Sequence, residues 1–206
     1  IEKLNSDKME LAFLLLTILL VLFALLAVYD GFYLHILKFG LHRQKESQFE
    51  HLTHSLRALI FPVMVYFLFV LQDSIIGFYV GIGLVILDLL ILGLDAYMEK
   101  DSRRFMGGLP RWEYILHLFV NGFHFATIAV FLAIKINLTE MGLIVVQNFY
   151  EFEYFKLFQR VAINLIPGGI LMGMLHFLLM CSRPANWLTS LMDKLNCCKL
   201  KMDSRV

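Results

Sequence analysis

Residues 11–28 read LAFLLLTILLVLFALLAV, a run in which Thr17 is the one polar side chain. Wound as an α-helix, it covers about 27 Å, close to the hydrocarbon thickness of a bilayer. Its length exceeds that of a secretory h-region. No small-x-small cleavage site follows, and the chain runs on into Asp30 and His35, so this helix is expected to be retained.

Working outward, the same reading recurs. The chain has 206 residues, of which 59% are hydrophobic and only 17% charged. That charge is too little to clothe a soluble surface over so much apolar side chain, so an all-α integral membrane protein is expected. Five spans are predicted, at about residues 10–39, 48–71, 75–98, 111–136 and 155–181, in one transmembrane domain followed by a tail over 182–206. Pro62 falls inside the second span, which lipid-embedded helices tolerate when neighbours re-satisfy the freed carbonyl. A Gly107-Gly108-Leu109-Pro110 turn precedes the fourth. Gly77-xxx-Gly81 and Gly169-xxx-Gly173 put small residues one turn apart, a pattern that lets helix backbones approach closely. No long basic run occurs, so nucleic-acid binding is not supported.

Orientation follows from lysine and arginine. The 38–57 connection, the 99–111 connection and the tail hold 13 of the 18, leaving Lys3, Lys8, Lys135, Lys156 and Arg160 for the other side. The positive-inside rule then places the N-terminus outside and the C-terminus in the cytoplasm; a bacterial inner membrane is the expected setting. Cys181, Cys197 and Cys198 have no CxxC spacing and read as free cytoplasmic thiols. The aromatic stretch in residues 137–160 reads as an interfacial belt rather than a partner surface. Asn137-Leu138-Thr139 is a sequon only in a eukaryotic secretory setting.

On this topology all seven histidines fall in the cytoplasmic half. His35/His42, Asp88/Asp95 and His117/His124 are each two turns apart on one helix face. Glu50/His54, Asp95/Glu99 and Glu113/His117 are each one turn apart. Ionisable groups facing lipid cost roughly 2.5 kcal/mol or more each near the bilayer centre. Four helices are therefore expected to turn these stripes toward one another, as a bundle with a polar cytoplasmic end. Asp30 lies about 140° around an α-helix from His35 and is expected off the stripe.

Histidines and carboxylates from facing helices are the donors with which bundles hold pairs of transition metals. The expected metal ligands are His35, His54, Asp88, Asp95, Glu99, His117 and His124, holding two ions of iron or zinc. Glu50 and Glu113 are candidates for moving protons in catalysis. Arg57, Arg103 and Arg104 could hold a lipid phosphate or another anion over the metals. Haem is disfavoured, because a spacing of about 10 Å is short for two stacked haems. His42 and His51 sit nearest the aqueous edge, and His176 reads as a core or interfacial residue.

In general layout the arrangement resembles the membrane histidine-rich di-iron desaturases and hydroxylases. Their HxxxH and HxxHH boxes are absent; His51-Leu52-Thr53-His54 comes nearest, and no residue role is carried over. The function expected is a membrane metalloprotein acting on a lipid or other hydrophobic substrate, with di-iron oxidoreductase chemistry slightly preferred to zinc hydrolysis. The alternatives are a non-catalytic subunit of a larger membrane complex or homo-oligomer, and a protein that handles protons or metal ions. A through-going transporter fits poorly, because the outer halves of the first four spans are almost wholly apolar.

Overall fold

The computed structural model describes residues 2–140 and 142–181, with 186, 187 and 190 beyond them. Most of the predicted tail, with Cys197 and Cys198, lies outside the described residues; Cys181 is exposed. Among the described residues, five helices are long and apolar enough to cross a membrane. Helix α1 spans Glu2–Val28 and continues without a break as a π-helical segment, Tyr29–Lys38. Helix α2 spans Gln48–Val65, passes through Pro62 and widens into a π turn at Tyr66–Val70. Helices α3 (Ile75–Ser102), α4 (Arg111–Lys135) and α5 (Glu153–Leu179) follow.

Local chemistry sets the ends of these helices. The Ser74 hydroxyl caps α3 by accepting the Gly77 N–H at 3.0 Å. Between α3 and α4 the chain turns through Gly107 and Gly108 at φ +81° and +117°, a region costly for any side chain. After α4 comes a short hairpin, β1 (Ile136–Thr139) against β2 (Gly142–Val145), antiparallel with Asn137 opposite Ile144. The Glu10 carboxylate accepts the N–H groups of Glu153 and Tyr154 at 2.9 and 2.8 Å. A negative group thereby sits at the positive end of the α5 dipole.

Helix α2 is the hub, packed along both α3 and α5, while α1 packs on α4 and α5. The two glycine pairs make the α2 contacts close. A Cβ on Gly81 would stand 2.5 Å from a Leu68 methyl, and one on Gly173 2.7 Å from a Leu59 methyl. The helices thus follow one another as α3, α2, α5, α1 and α4 around an open horseshoe. Helices α3 and α4, its two tips, make few close backbone contacts with one another.

The two ends of the horseshoe differ in character. At the end where α5 begins, Phe13, Phe69, Phe131, Phe149, Phe155 and Phe158 are buried and meet mostly edge to face at centroid separations of 5.0–6.3 Å, with the Phe131/Phe158 pair stacked and the Phe149/Phe155 pair tilted. Phe149 and Phe155 are therefore core rather than members of an interfacial belt; Tyr150 and Tyr154 remain exposed. Buried Lys135 donates to the carbonyls of Gln72 and Gln147 and to the Gln72 side chain, at 2.7–3.2 Å. The opposite end, where α1 and α3 finish and α2 and α4 begin, holds the histidines.

Candidate functional site

Arg103 follows the last turn of α3 and is 0% exposed. Its Nη1 donates to Glu50 Oε2 at 2.7 Å, and its Nη2 and Nε to Glu113 Oε1 at 2.6 and 3.2 Å. Nη2 also lies 3.4 Å from His35 Nε2. The Ser102 hydroxyl donates to the same Glu50 oxygen. Glu50 Oε1, Glu113 Oε2 and His35 Nδ1 are buried without a hydrogen-bond partner. Such atoms are rare and call for a ligand or a role.

Above this pair of acids stand three imidazoles from three helices: His35 of α1, His54 of α2 and His117 of α4. Ring centroids are 4.3 Å apart for His35 and His54, 5.8 Å for His35 and His117, and 6.4 Å for His54 and His117. Asp30 Oδ1 is 3.4 Å from His35 Nε2 and 3.2 Å from His117 Nε2. Glu99 lies 2.5 Å from His117 Nδ1. Asp95 lies 3.0 Å from His54 Nε2, its other oxygen held by the Thr53 hydroxyl at 2.5 Å. Two triads result, Asp30/His35/His117 and His35/Glu50/His54, each offering three ligand atoms within 4.8 Å of one another. His35 belongs to both.

Asp30 joins this group because of the backbone. The π-helical winding of Tyr29–Lys38 has an i→i+5 repeat, so residues five apart come round to nearly the same face. Residues 30 and 35 would diverge on an α-helix. The expectation that Asp30 stands apart is corrected on that ground. An Asp-Gly step interrupting the apolar run was the visible sign.

The remaining predicted residues separate into other groups. Asp88, two turns deeper on α3, accepts from Arg57 Nε at 2.9 Å and lies 3.2 Å from His124 Nε2; Arg57 Nη2 also donates to Asn121 at 2.9 Å. His124 is otherwise packed among Phe23, Phe61 and Phe125. This network is not among the two ligand triads. Arg103 sits inside the cluster rather than at its mouth and presents no open guanidinium to an anion. Arg104 is exposed, and its ion-pair partner among the described residues is Asp101, at 3.5 Å.

His42, His51 and His176 form a separate row of rings, 6.1 and 5.0 Å apart. His51 Nε2 bonds the His176 carbonyl at 3.0 Å. His42 lies in the Leu41–Arg43 turn, outside the spans; its burial, then the Arg43 and His51 charges, lower its pKa to about 4. It is neutral at physiological pH.

Beside the clusters is a cavity of about 410 Å³. Its walls are mainly apolar, with Phe61, Leu92 and Leu165 among them. His54, Asp95, Glu99 and His117 line it as well, as do Arg57, Asp88 and His124 of the neighbouring network.

The charges do not balance. Asp30, Glu50, Asp88, Asp95, Glu99 and Glu113 are six carboxylates, and Arg57 and Arg103 are the guanidiniums that meet them. With all six ionised and the imidazoles neutral, six against two would leave four positive charges to be supplied. Each uncompensated charge in a desolvated site costs several kcal/mol, so two divalent cations or four protons are called for. No protein family, curated protein or solved structure matches the chain.

Proposed function

We propose that this chain is a membrane-embedded metalloenzyme that holds one or two divalent transition ions between α1, α2 and α4 and acts on a hydrophobic substrate in the adjoining cavity. The observation that carries the reading is the pair of ligand triads sharing His35. Imidazole with carboxylate suits iron and zinc. Either ion supplies Lewis acidity, and iron adds redox chemistry; an oxidoreductase is slightly preferred, since mixed His/carboxylate bundles are the di-iron habit. The protein's own part is to orient the ligands. Thr53 fixes Asp95, Asp95 fixes His54, and Arg103 fixes Glu50 while leaving one Glu50 oxygen free. Such partners set ligand tautomer and direction.

The lysine and arginine bias supports a cytoplasmic position for this end, and does so even without Arg57 and Arg103, which face internal acids. A bacterial inner membrane remains the proposed setting.

Metal analysis of detergent-purified protein, expressed with iron and zinc supplied, tests the reading. One or two ions per chain are expected. His35→Ala should lose all of the metal, His54→Ala and His117→Ala should lower it, and His124→Ala should keep it. A metal-free wild type, or a His35→Ala variant with full metal content, overturns it.

A second reading is favoured by a specific chain of contacts, Glu99 to His117 to Asp30 to His35, at 2.5, 3.2 and 3.4 Å. Such a chain can pass protons without any metal. It predicts a metal-free protein.

A further inference from the structure

The cavity is not sealed within the horseshoe, and where it opens bears on what it admits. Helices α1, α2 and α5 form its back wall, and α3 and α4, which make few close backbone contacts with one another, form its sides. Polar ties cross the seam between those tips: Asp88 to His124 at 3.2 Å, Glu99 to His117 at 2.5 Å, and Arg57 of α2, which donates to both Asp88 and Asn121 at 2.9 Å. From Asp88 to Glu99 along α3 is about 16 Å at 1.5 Å per residue. Between the ties the seam is edged by Leu92 and Ala96 on one side and Leu118 and Asn121 on the other. Ala96 and Leu118, together with Tyr114, line the cavity and are also exposed, Leu118 at 62%. Val28 of α1 and Gly168 of α5 also do both, but α1 packs on α4 and α5, so the α3–α4 seam is where the backbone leaves room for a mouth. That mouth lies along two helices long and apolar enough to cross a membrane, an arrangement that would turn it toward hydrocarbon.

From this we infer that the gap between α3 and α4 is a lateral portal through which the hydrocarbon chain of a membrane lipid enters, presenting its polar end to the His/carboxylate group. The mainly apolar wall matches a chain, and the polar groups that also line the cavity, His54, Asp95, Glu99 and His117 with the Arg57/Asp88/His124 network, match a head or a reacting carbon beside it. A water-soluble substrate would have to cross the apolar wall to reach the same groups. The inference rests on the proposed function only in treating those groups as the place of chemistry; occupancy by a chain does not depend on a metal.

The test is photolabelling in nanodiscs. The probes are a phosphatidylcholine and a free fatty acid, each with a diazirine at the chain terminus, mapped by mass spectrometry. Label is expected on cavity-lining peptides of α3, α4 and α5, and on metal-stripped protein as well. Ala96→Trp and Leu118→Trp, which add bulk at the mouth, should cut cavity label at least tenfold while label on outward-facing Tyr97 persists. Whichever probe labels the cavity identifies the source of the chain. Leu25→Trp, on the outward face of α1 and not lining the cavity, should leave the label unchanged. Label confined to outward-facing surfaces, or unaffected by the two mouth variants, overturns the portal. Elution as a monodisperse peak with wild-type metal content shows that each variant is folded. A wild type that purifies without metal yet labels in the cavity would sink the metal reading and leave the portal standing.

Discussion

Arg103 shows on what terms a charged side chain stays at 0% exposure in an apolar bundle. Its fork meets two carboxylates, and those carboxylates depend on it in turn. Removing one partner of a buried ion pair costs about 3–5 kcal/mol, because the other charge is left unpaired. Arg103→Met should therefore lower stability by that amount in thermal unfolding in detergent. Adding Glu50→Gln and Glu113→Gln should restore part of it; no restoration would place Arg103's role elsewhere. His42 gives a pH prediction. Its folded pKa is about 4 against an ordinary 6.5, so between those values the unfolded chain binds a proton that the folded chain does not. Stability must fall as pH drops through that window. His42→Gln should flatten the dependence of the thermal midpoint between pH 6.5 and 4, and equal slopes would refute the assignment. At this scale much was legible. The i, i+7 and i, i+4 spacings named His35, His54, His117, Asp95 and Glu99 as sharing a region, because helix periodicity fixes which face a residue occupies. Periodicity does not fix depth. Asp88 and His124 share faces with Asp95 and His117 but lie two turns away, about 10 Å, in the Arg57 network.

At the scale of the helix, hydropathy disclosed the five long elements, since nothing else in a chain needs such runs of apolar side chain. What it could not disclose was winding. The π-helical segment Tyr29–Lys38 has no hydropathy signature, and it decides whether Asp30 faces His35. The hairpin at residues 136–145 was also hidden, being exposed and short. The glycine pairs were readable, because their only advantage over alanine in a helix is close approach. Gly81 and Gly83 separate these effects on one helix. A Cβ at Gly81 meets Leu68, itself 1% exposed, whereas at Gly83 nothing lies within 4 Å. Gly81→Val should destabilise by about 1–3 kcal/mol through overpacking. Gly83→Ala should be neutral or stabilising by up to about 1 kcal/mol, as glycine is the poorer helix former. Thermal midpoints measured side by side decide; equal losses would show that the α2–α3 contact is looser than drawn.

At the scale of the whole molecule, one end is held by aromatic packing and the other by charge, and only the second requires something from outside the chain. Six ionised carboxylates against two guanidiniums, with the imidazoles neutral, would leave the polar end four positive charges short, and a bilayer offers few mobile ions to make up the difference. Protons on imidazoles can do it, but so can divalent ions, and the two differ in what they do to folding. An ion that binds the folded chain alone raises its stability by about 2.7 kcal/mol at a hundred times its dissociation constant. Metal-stripped protein titrated with ferrous or zinc ion should show that rise as a higher thermal midpoint, and His35→Ala, which removes the ligand common to both triads, should abolish it. His124→Ala should keep the rise, since His124 lies outside the triads. Magnesium provides the control. It carries the same charge but prefers oxygen ligands and holds its water, so it should stabilise little if imidazoles are the ligands. A magnesium response as large as that of zinc would mean that the acids need only neutralising, and three histidines within 6.4 Å of one another would then have to be explained by proton transfer instead.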